Sequence, residues 1–349
     1  MSVAIALMER GLLPDALLRV GVRAVVRSRI TEEESCSWEE QGRRRIDFVE
    51  EMKRSEIAPL PDKANLQHYE VPAALFELFL GENLKYSSCY FEDPAMSLSQ
   101  AERCMLELSC KRAELSDGQR VLELGCGWGS LSLFMASRYP SSRFVAVSNS
   151  ASQKLYIDTK AQARGLSNLK VITADMNTFE IGEKFERVVS IEMFEHMRNY
   201  ERLLSKIANW LQHNGKLFVH IFCHRQFVYP YTTDGSGNWM GRYFFTGGMM
   251  PCEDIFAFFQ RDLLLEKQWR VGGEHYSRTS RLWLENLDRN RDKALPVIEK
   301  IYGARDAGVW FQRWRVFLMA CEELFGFRGG KEWFVSHYLL AKRASGERI

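Results

Sequence analysis

The middle of the chain consists of short apolar runs that alternate with helix-like segments. Each run is rich in Val, Ile, Leu and Phe, and polar or turn-forming residues separate it from the next. Continuous apolar runs of this kind predict strands buried on both faces, as in a parallel sheet covered by helices on both sides. The sequence therefore predicts a doubly wound α/β domain. Its five predicted strands span residues 120–126, 143–149, 169–175, 187–193 and 216–222.

A glycine-rich turn follows the first predicted strand, where VLELGCGWGS contains Gly125, Gly127 and Gly129. At the carboxyl end of a strand, such glycines let the backbone approach a nucleotide-like ligand at the start of the next helix. The spacing is G-x-G-x-G rather than the G-x-G-x-x-G of dinucleotide sites. The second strand also ends in the uncharged VSNSASQ, where a dinucleotide site needs an acidic side chain. Glu123 either points to the ligand or caps the strand.

The two flanking regions predict cover for this ligand site. Residues 1 to about 115 carry apolar positions at helical spacing, and Ser99 with Glu102 resembles a capping box. Beyond Cys223, an aromatic and glycine-punctuated stretch precedes helical segments and two runs that predict late strands, 263–271 and 333–343. We therefore divide the chain into a helical N-terminal region that contributes to ligand cover, a ligand-binding α/β core, and a cap whose late strands complete the sheet. These regions span residues 1–115, 116–224 and 225–349.

Composition narrows the classes of partner. The chain has 47 basic and 45 acidic residues, so it lacks the excess of positive charge that nucleic-acid binding requires. Eight scattered cysteines without a C-x-x-C motif predict reduced thiols in a cytoplasmic protein. Charges interrupt the apolar N-terminus well short of a membrane span. Its arginines resemble a mitochondrial presequence, although Glu9 and Asp15 weaken that interpretation. We expect a small-molecule partner, no nucleic acid and no membrane span.

Several further segments carry a resemblance when they are taken together with the glycine turn. In chain order they are HYEVPAALFELFLGENLKYSSCYF, LELGCGWG, SNSASQ, ADM, SIEMFEHMRNY, FCHRQFVY and NWMGRYFFTGGMMP. The chain resembles the class I S-adenosylmethionine-dependent methyltransferases, and within them the plant coclaurine N-methyltransferase group, which is related to the cyclopropane fatty acid synthases. The resemblance extends from about residue 5 to residue 343.

This resemblance implies both a fold and an activity. The fold is a Rossmann-like class I methyltransferase sheet with helices on both faces, a helical N-terminal extension and a helical, aromatic C-terminal cap. The activity is transfer of a methyl group from S-adenosyl-L-methionine to the amine nitrogen of a small aromatic amine or alkaloid, such as a coclaurine-like benzylisoquinoline or a phenylalkylamine. S-adenosyl-L-homocysteine is the second product.

The resemblance also implies where the cofactor binds. Asp175 and Met176 would frame the adenine, because a carboxylate accepts from its exocyclic amine and a thioether packs on its ring. A helix N-cap is the alternative role for Asp175. Asn149 and Gln153 would hold the ribose in place of the usual carboxylate. The implied cofactor contacts are Tyr86, Ser87, Gly125, Gly127, Asn149, Gln153, Asp175, Met176 and Ile191.

Methyl transfer to an amine requires positioning and deprotonation, because the amine is protonated near neutral pH and only its free base attacks. The segment IEMFEHM supplies Glu192, Glu195 and His196 at the end of the fourth predicted strand, and a helical turn there would bring them together. We expect His196 to act as general base, and Glu195 and Glu70 to hold the ammonium and orient the imidazole. A satisfied buried histidine is the alternative for His196.

A cationic acceptor beside a sulfonium also calls for aromatic faces. Trp310 is one candidate, and RYFFTGGMMP predicts the edge of a lid whose glycines permit motion. His220 and His224 lie four residues apart, but no third ligand is evident and no metal is expected. The residues expected to contact the acceptor are Tyr69, Glu192, Trp239, Phe244, Phe245, Trp314 and Phe317.

Two other functions stay open at this point. Cyclopropane synthases hold a bicarbonate with a cysteine, a glutamate, a histidine and a tyrosine, and Glu195 and His220 stand at matching places. Ser88 stands where the cysteine belongs, and Cys89 is shifted by one residue, which changes the direction of its side chain. A non-catalytic cofactor-binding scaffold is the third interpretation, against which the Glu-Glu-His set argues. Related enzymes are often dimers, which leaves a homodimer open.

Overall fold

The computed structural model describes residues 3–60, 71–234 and 238–343. The N-terminal part is helical, as the spacing of its apolar residues predicts. None of the helices in the described ranges is long and apolar enough to cross a membrane. The helices before the sheet are α1 (Val3–Glu9), α2 (Asp15–Glu34), α3 (Trp38–Arg54), α4 (Ala73–Phe79) and α5 (Leu98–Arg112).

Helix α5 begins with a capping box formed by Ser97 and Gln100. The Ser97 hydroxyl accepts from the Gln100 N–H at 3.3 Å, and the Ser97 N–H donates to the Gln100 side chain at 2.8 Å. The predicted box between Ser99 and Glu102 is therefore wrong. Glu102 is buried and fixes the preceding loop instead, because its carboxylate accepts from that loop's backbone. The three N–H donors belong to Gly81 (2.9 Å), Asn83 (2.8 Å) and Lys85 (3.3 Å).

One sheet contains seven strands: β1 (Arg120–Leu124), β2 (Arg143–Ser148), β3 (Leu169–Thr173), β4 (Phe185–Ile191), β5 (Leu211–His224), β8 (Leu263–Val271) and β9 (Trp333–Lys342). Their order in the sheet is β3-β2-β1-β4-β5-β9-β8. Strands β1 to β5 run parallel to their neighbours, whereas β9 is antiparallel to both β5 and β8. The doubly wound α/β prediction and the two late strands are confirmed. Two further strands, β6 (Tyr229–Pro230) and β7 (Met249–Met250), form a separate pair.

Helices cover both faces of the sheet because successive strand residues point to opposite sides. Val121 and Val189 pack with residues of α5 and α6 (Ser130–Arg138) on one face, whereas Leu122 and Val188 pack with α3 and α8 (Tyr200–Trp210) on the other. A third apolar cluster, which includes Phe76, lies among the helices of the N-terminal region and the cap. The remaining helices are α7 (Ala151–Ala163), α9 (Trp239–Tyr243), α10 (Gly273–Arg289), α11 (Arg291–Tyr302) and α12 (Ala307–Gly326).

Candidate active site

Two adjoining cavities open where β1, β2 and β4 end. The empty space in the first, including the open solvent at its mouth, is about 730 Å³, and that in the second is about 1020 Å³. Five residues line both cavities, so the two spaces meet around the ends of β1 and β4, the point at which the strand order reverses and ligands bind in such sheets. The shared residues are Gly125, Gly127, Gln153, Glu192 and His196.

The glycine turn after β1 forms a cradle beside these cavities. Gly125, Gly127 and Gly129 have φ values of 77°, 52° and 81°, in the left-handed region that favours glycine. A Cβ at Gly125 would lie 2.8 Å from Met193, and one at Gly129 would lie 2.6 Å from Ile157. At Gly127 no described atom lies within 4 Å of such a Cβ. The backbone at Gly127 therefore faces open space, and the turn fits a ligand that approaches the main chain closely.

All nine residues expected to contact the cofactor line one or both cavities. Asp175 is held in place because its Oδ1 accepts from the Asn177 N–H at 2.9 Å. The Gln153 side chain is similarly fixed, since its Oε1 accepts from the Ser148 hydroxyl at 2.6 Å. Asn149, Asp175 and Met176 line the first cavity, whereas Tyr86, Ser87 and Ile191 line the second.

Glu192 follows β4 in a left-handed conformation, with φ 48°, and its side chain reaches both cavities. Its Oε1 accepts from the Ser88 N–H at 3.0 Å and pairs with His220 Nε2 at 3.1 Å, while its Oε2 accepts from the Tyr276 hydroxyl at 2.7 Å. Burial raises the pKa of Glu192, whereas the positive charge of Lys85 and the hydrogen bonds oppose that rise. Glu192 is thus a buried carboxylate supplied with donors.

Lys85 is a buried lysine whose positive charge acts on Glu192. Its Nζ donates to the Ser87 hydroxyl at 2.5 Å and to the Ser88 carbonyl at 2.6 Å, and burial lowers its pKa. Lys85 and Tyr276 were not predicted from the sequence. Lys85 belongs to the KYSSCYF segment, which is a signal for its role, whereas Tyr276 lies in α10 without a motif and is identified only by its contact with Glu192.

The segment after Glu192 turns through a short 3-10 helix, Phe194–His196, which directs the side chains of Glu195 and His196, two of the predicted catalytic residues, to different places. His196 lines both cavities, and its ring stacks on Phe245 with centroids 4.6 Å apart. Glu195 points elsewhere: its Oε1 accepts from the Phe222 N–H at 2.8 Å, and its Oε2 has no hydrogen-bond partner among the described residues. Burial and the negative charge of Glu192 raise the pKa of Glu195 well above its usual range.

Aromatic rings form much of the second cavity's wall. Among the aromatic residues expected to contact the acceptor, Phe245 and Phe317 line this cavity. Trp239, Phe244 and Trp314 line neither cavity among the described residues. Phe244 is buried against Phe317 and Trp314, with ring centroids 4.3 Å and 5.2 Å apart, and Trp239 Nε1 donates to Glu9 at 2.9 Å. Tyr69 and Glu70 lie outside the described residues. The other wall rings belong to Tyr86, Trp128, Phe222, Tyr276 and Trp283.

Glu123 is the remaining carboxylate of the second cavity. It is buried, and it accepts a short hydrogen bond from the Ser132 hydroxyl. Burial raises the pKa of Glu123 to about 8. The structure therefore places it against the ligand space rather than at a strand cap.

Comparison with known proteins adds to this geometry. Residues 61–331 match the family model described as mycolic acid cyclopropane synthetase. The (S)-coclaurine N-methyltransferase of Thalictrum flavum subsp. glaucum is 37% identical over 340 residues, which cover 96% of this chain and 94% of that enzyme. The (S)-coclaurine N-methyltransferase of Papaver somniferum is 35% identical, with 96% and 97% covered.

A solved structure is similar over nearly the whole length. A crystal structure of coclaurine N-methyltransferase bound to N-methylheliamine and S-adenosylhomocysteine superimposes with a TM-score of 0.94 at 36% identity, and the match covers 97% of this chain and 99% of that one. Together with the glycine cradle and the two cavities, these matches confirm the resemblance seen in the sequence. The chain belongs to the coclaurine N-methyltransferase family, a plant branch related to the cyclopropane synthetases, and is an S-adenosylmethionine-dependent N-methyltransferase.

Proposed function

We propose that the acceptor is the amine nitrogen of a small aromatic alkaloid, either a coclaurine-like benzylisoquinoline or a phenylalkylamine. The observation that carries this proposal is the second cavity, where Glu192 and His196 lie inside an aromatic wall. A carboxylate and ring faces both favour a cation. The relatives named above are coclaurine N-methyltransferases, and the similar crystal structure holds N-methylheliamine, which agrees with this choice of acceptor.

The first cavity, with the glycine turn, would hold the cofactor. Asn149 and Gln153 would bind the ribose, and Asp175 and Met176 would frame the adenine. The methionyl part would then lie against the open backbone at Gly127, with Tyr86, Ser87, Gly125 and Ile191 around it. When bound, S-adenosylmethionine supplies a methyl group on a sulfonium, so that the amine lone pair forms the N–C bond while the C–S pair stays on sulfur.

The protein's own contribution is to bind the ammonium, remove its proton and exclude water. Glu192 offers a fixed negative charge at the junction of the two cavities, where a cationic acceptor would meet the methyl group. His196 would accept the ammonium proton, since it is the imidazole that lines both cavities. Glu195 would hold the 3-10 turn Phe194–His196 in place, because its carboxylate accepts from the Phe222 N–H. Glu70 stays a proposed ammonium ligand and lies outside the described residues.

Lipid cyclopropanation is less well supported. An alkene carries no charge for Glu192 and the aromatic wall to bind. Ser88, which stands where those synthases have cysteine, directs its hydroxyl to the Cys89 carbonyl at 3.2 Å and gives its backbone N–H to Glu192. These contacts favour an amine acceptor.

A panel of acceptors tests the proposal directly. The full chain would be mixed with methyl-labelled S-adenosylmethionine and a 1-benzyltetrahydroisoquinoline, its N-methyl derivative, a phenylethylamine, or vesicles of an unsaturated phospholipid. We expect label on the nitrogen of at least one amine and none on the lipid. The matched control is the 1-benzylisochroman, in which oxygen replaces the nitrogen and which is expected to stay unlabelled. Labelled lipid with unlabelled amines would contradict the proposal.

We also propose that each of three regions has its own role. Residues 1–115 would contribute to the cover of the cofactor and acceptor, residues 116–224 would bind the cofactor, and residues 225–349 would form the cap that binds the acceptor. This assignment is supported by the first cavity, to which the N-terminal region contributes Ala58 and the cap contributes Thr246.

We also propose a cytoplasmic location, which is supported by the eight cysteines, all of them unpaired. Imaging of a fluorescent fusion tests the location. Light scattering on the purified chain tests whether it forms the homodimer that the resemblance leaves open.

A further inference from the structure

A chain of three hydrogen bonds runs from a half-buried arginine to Glu192 through two buried histidines. Arg112 Nη1 lies 2.8 Å from His337 Nδ1, His337 Nε2 lies 2.9 Å from His220 Nδ1, and His220 Nε2 lies 3.1 Å from Glu192 Oε1. Both histidine side chains are completely buried. These contacts connect the end of α5 to the junction of the two cavities.

Strand register places these residues in one row across the sheet. His220 of β5 is directly opposite His337 of β9, and His337 is directly opposite Trp269 of β8. The Arg112 guanidinium lies over the Trp269 ring, 5.2 Å from its centroid, and so reaches the outer nitrogen of His337. The sheet pairing therefore fixes the order of the groups as arginine, histidine, histidine and carboxylate.

The direction of every hydrogen bond in this chain follows from the arginine. A guanidinium only donates, so His337 Nδ1 must accept, and the proton of that neutral ring lies on Nε2. His337 Nε2–H then donates to His220 Nδ1, which leaves His220 with its proton on Nε2, where it donates to Glu192. Burial lowers the pKa of both histidines well below the usual range, in agreement with two neutral rings.

We propose that Arg112, His337 and His220 form a positioning relay that holds Glu192 as an ionised carboxylate in one orientation at the junction of the cavities. The relay is not a path for protons to leave, because Arg112 cannot accept one. A protonated His220 would also direct a second N–H against the N–H of His337. The relay acts through aligned hydrogen bonds, which strengthen one another in a low-dielectric interior.

Other charged and titratable groups also face Glu192, and the relay acts against this background. Lys85 is the nearby cation that favours the ionised carboxylate of Glu192, and the charge of Glu192 in turn adds to the burial that raises the pKa of Glu195. Tyr90 interacts with Arg112 at the outer end. The groups packed around Glu192 are Lys85 and Cys89 before α5, Glu195 and His196 after β4, His220 in β5, Tyr276 in α10 and Cys321 in α12.

Two substitutions at His337 separate the relay from simple packing. In His337→Gln, the amide oxygen can accept from Arg112 and the amide N–H can donate to His220, whereas His337→Met fills similar space without a donor. Because loss of the donor to His220 weakens the hydrogen bond from His220 to Glu192, the pKa of Glu192 should rise. The acid limb of the kcat/KM profile in His337→Met should therefore move about one unit to higher pH, which is about a tenfold loss at pH values on that limb and a smaller loss at neutral pH. We expect His337→Gln to stay close to the wild type. Equal losses in both variants, with the acid limb unmoved, would overturn the relay.

The outer end of the relay has a matched control next to it in the same helix. Arg112→Gln and Lys111→Gln remove the same charge, but Lys111 is exposed and Arg112 contacts His337. We expect the acid limb to move in Arg112→Gln and to stay in place in Lys111→Gln. The same profile for both variants would remove Arg112 from the relay.

The relay proposal rests on the proposed function for the role of Glu192. A measurement on the protein without an acceptor tests the relay independently of that function. In protein labelled with ¹⁵N-histidine, the rings of His220 and His337, assigned through His220→Asn and His337→Gln, should both be neutral with the proton on Nε2 between pH 6 and pH 8. A proton on Nδ1, or a charged ring, would overturn the relay. The expected ring forms in a protein that methylates no amine would count against the proposed function instead.

Discussion

Gly125 and Met193 join the glycine turn after β1 to the segment that follows β4. A Cβ on Gly125 would lie only 2.8 Å from the Met193 Cβ, so the two main chains approach as closely as a glycine permits. Gly125 follows β1, and Met193 comes directly after Glu192 at the end of the neighbouring strand β4. The position of the turn and the position of Glu192 therefore depend on each other.

Gly125→Ala should weaken cofactor binding. The new methyl group would overlap Met193, and φ 77° costs an L-residue about 1–2 kcal/mol. We expect the dissociation constant for S-adenosylhomocysteine, measured by calorimetry, to rise about tenfold or more, with a lower melting temperature. Gly182→Ala is the control, because no described atom lies within 4 Å of its Cβ and its φ is not positive. Unchanged affinity in Gly125→Ala would contradict the coupling between turn and segment.

Gly127→Ala gives a different signature, because its Cβ would project into open space rather than into protein. We expect a smaller loss of stability than in Gly125→Ala, together with a clear loss of S-adenosylhomocysteine affinity. Undiminished affinity in Gly127→Ala would show that the cofactor does not approach the backbone there.

Much of the fold could be predicted because it depends on local patterns. Strands buried on both faces require continuous apolar runs, and the turn after β1 requires glycine at its three positive-φ positions. The capping box shows the limit of such patterns, since the pairs Ser97–Gln100 and Ser99–Glu102 both fit the motif. Burial of Glu102 against a loop some twenty residues earlier decided between them, and local sequence does not encode that contact.

The site was harder to predict because its contacts join distant parts of the chain. His220 and His337 are 117 residues apart and meet only through the antiparallel register of β5 and β9. The direction of Glu195 depends on the left-handed backbone at Glu192 and the 3-10 turn that follows. Three polar residues in IEMFEHM indicated a site, but they did not specify which of them would face the ligand.

His196→Ala tests the proposed general base. Loss of a base that removes the ammonium proton should lower kcat about 10²- to 10⁴-fold. The dissociation constant for S-adenosylhomocysteine should stay close to that of the wild type. His213→Ala is the control, since His213 is exposed at the start of β5. Unaltered turnover across the pH range would remove His196 from this role.

Glu123 makes the stability of the cofactor-free protein depend on pH. Its pKa is about 8 in the folded protein and near 4.5 when unfolded, so between these values the folded state holds a proton that the unfolded state lacks. Its contribution to stability therefore falls as pH rises, by up to about 1.4 kcal/mol for each pH unit. The free energy of unfolding of Glu123→Gln, relative to the wild type, should increase between pH 5 and pH 8 in urea titrations. Glu183→Gln, at an exposed position, should follow the wild type, and a constant difference for Glu123→Gln would contradict the assignment.

A buried ion pair fastens α1 to the cap. Both carboxylate oxygens of Glu9 accept from Arg313, at 3.1 Å and 3.0 Å, and Oε1 also accepts from Trp239 Nε1 at 2.9 Å. The side chains of Glu9 and Arg313 are only 5% and 14% exposed, so loss of one charge leaves the other buried without its partner.

We therefore expect Glu9→Gln to lower the free energy of unfolding by about 3 kcal/mol in urea titrations. Glu32→Gln is the matched control, because it breaks an exposed pair with Arg29 and should cost no more than about 0.5 kcal/mol. The double variant Glu9→Gln with Arg313→Met should recover part of the loss, since the uncompensated charge is gone. Equal effects of Glu9→Gln and Glu32→Gln would show that the Glu9 pair contributes no more than a surface contact.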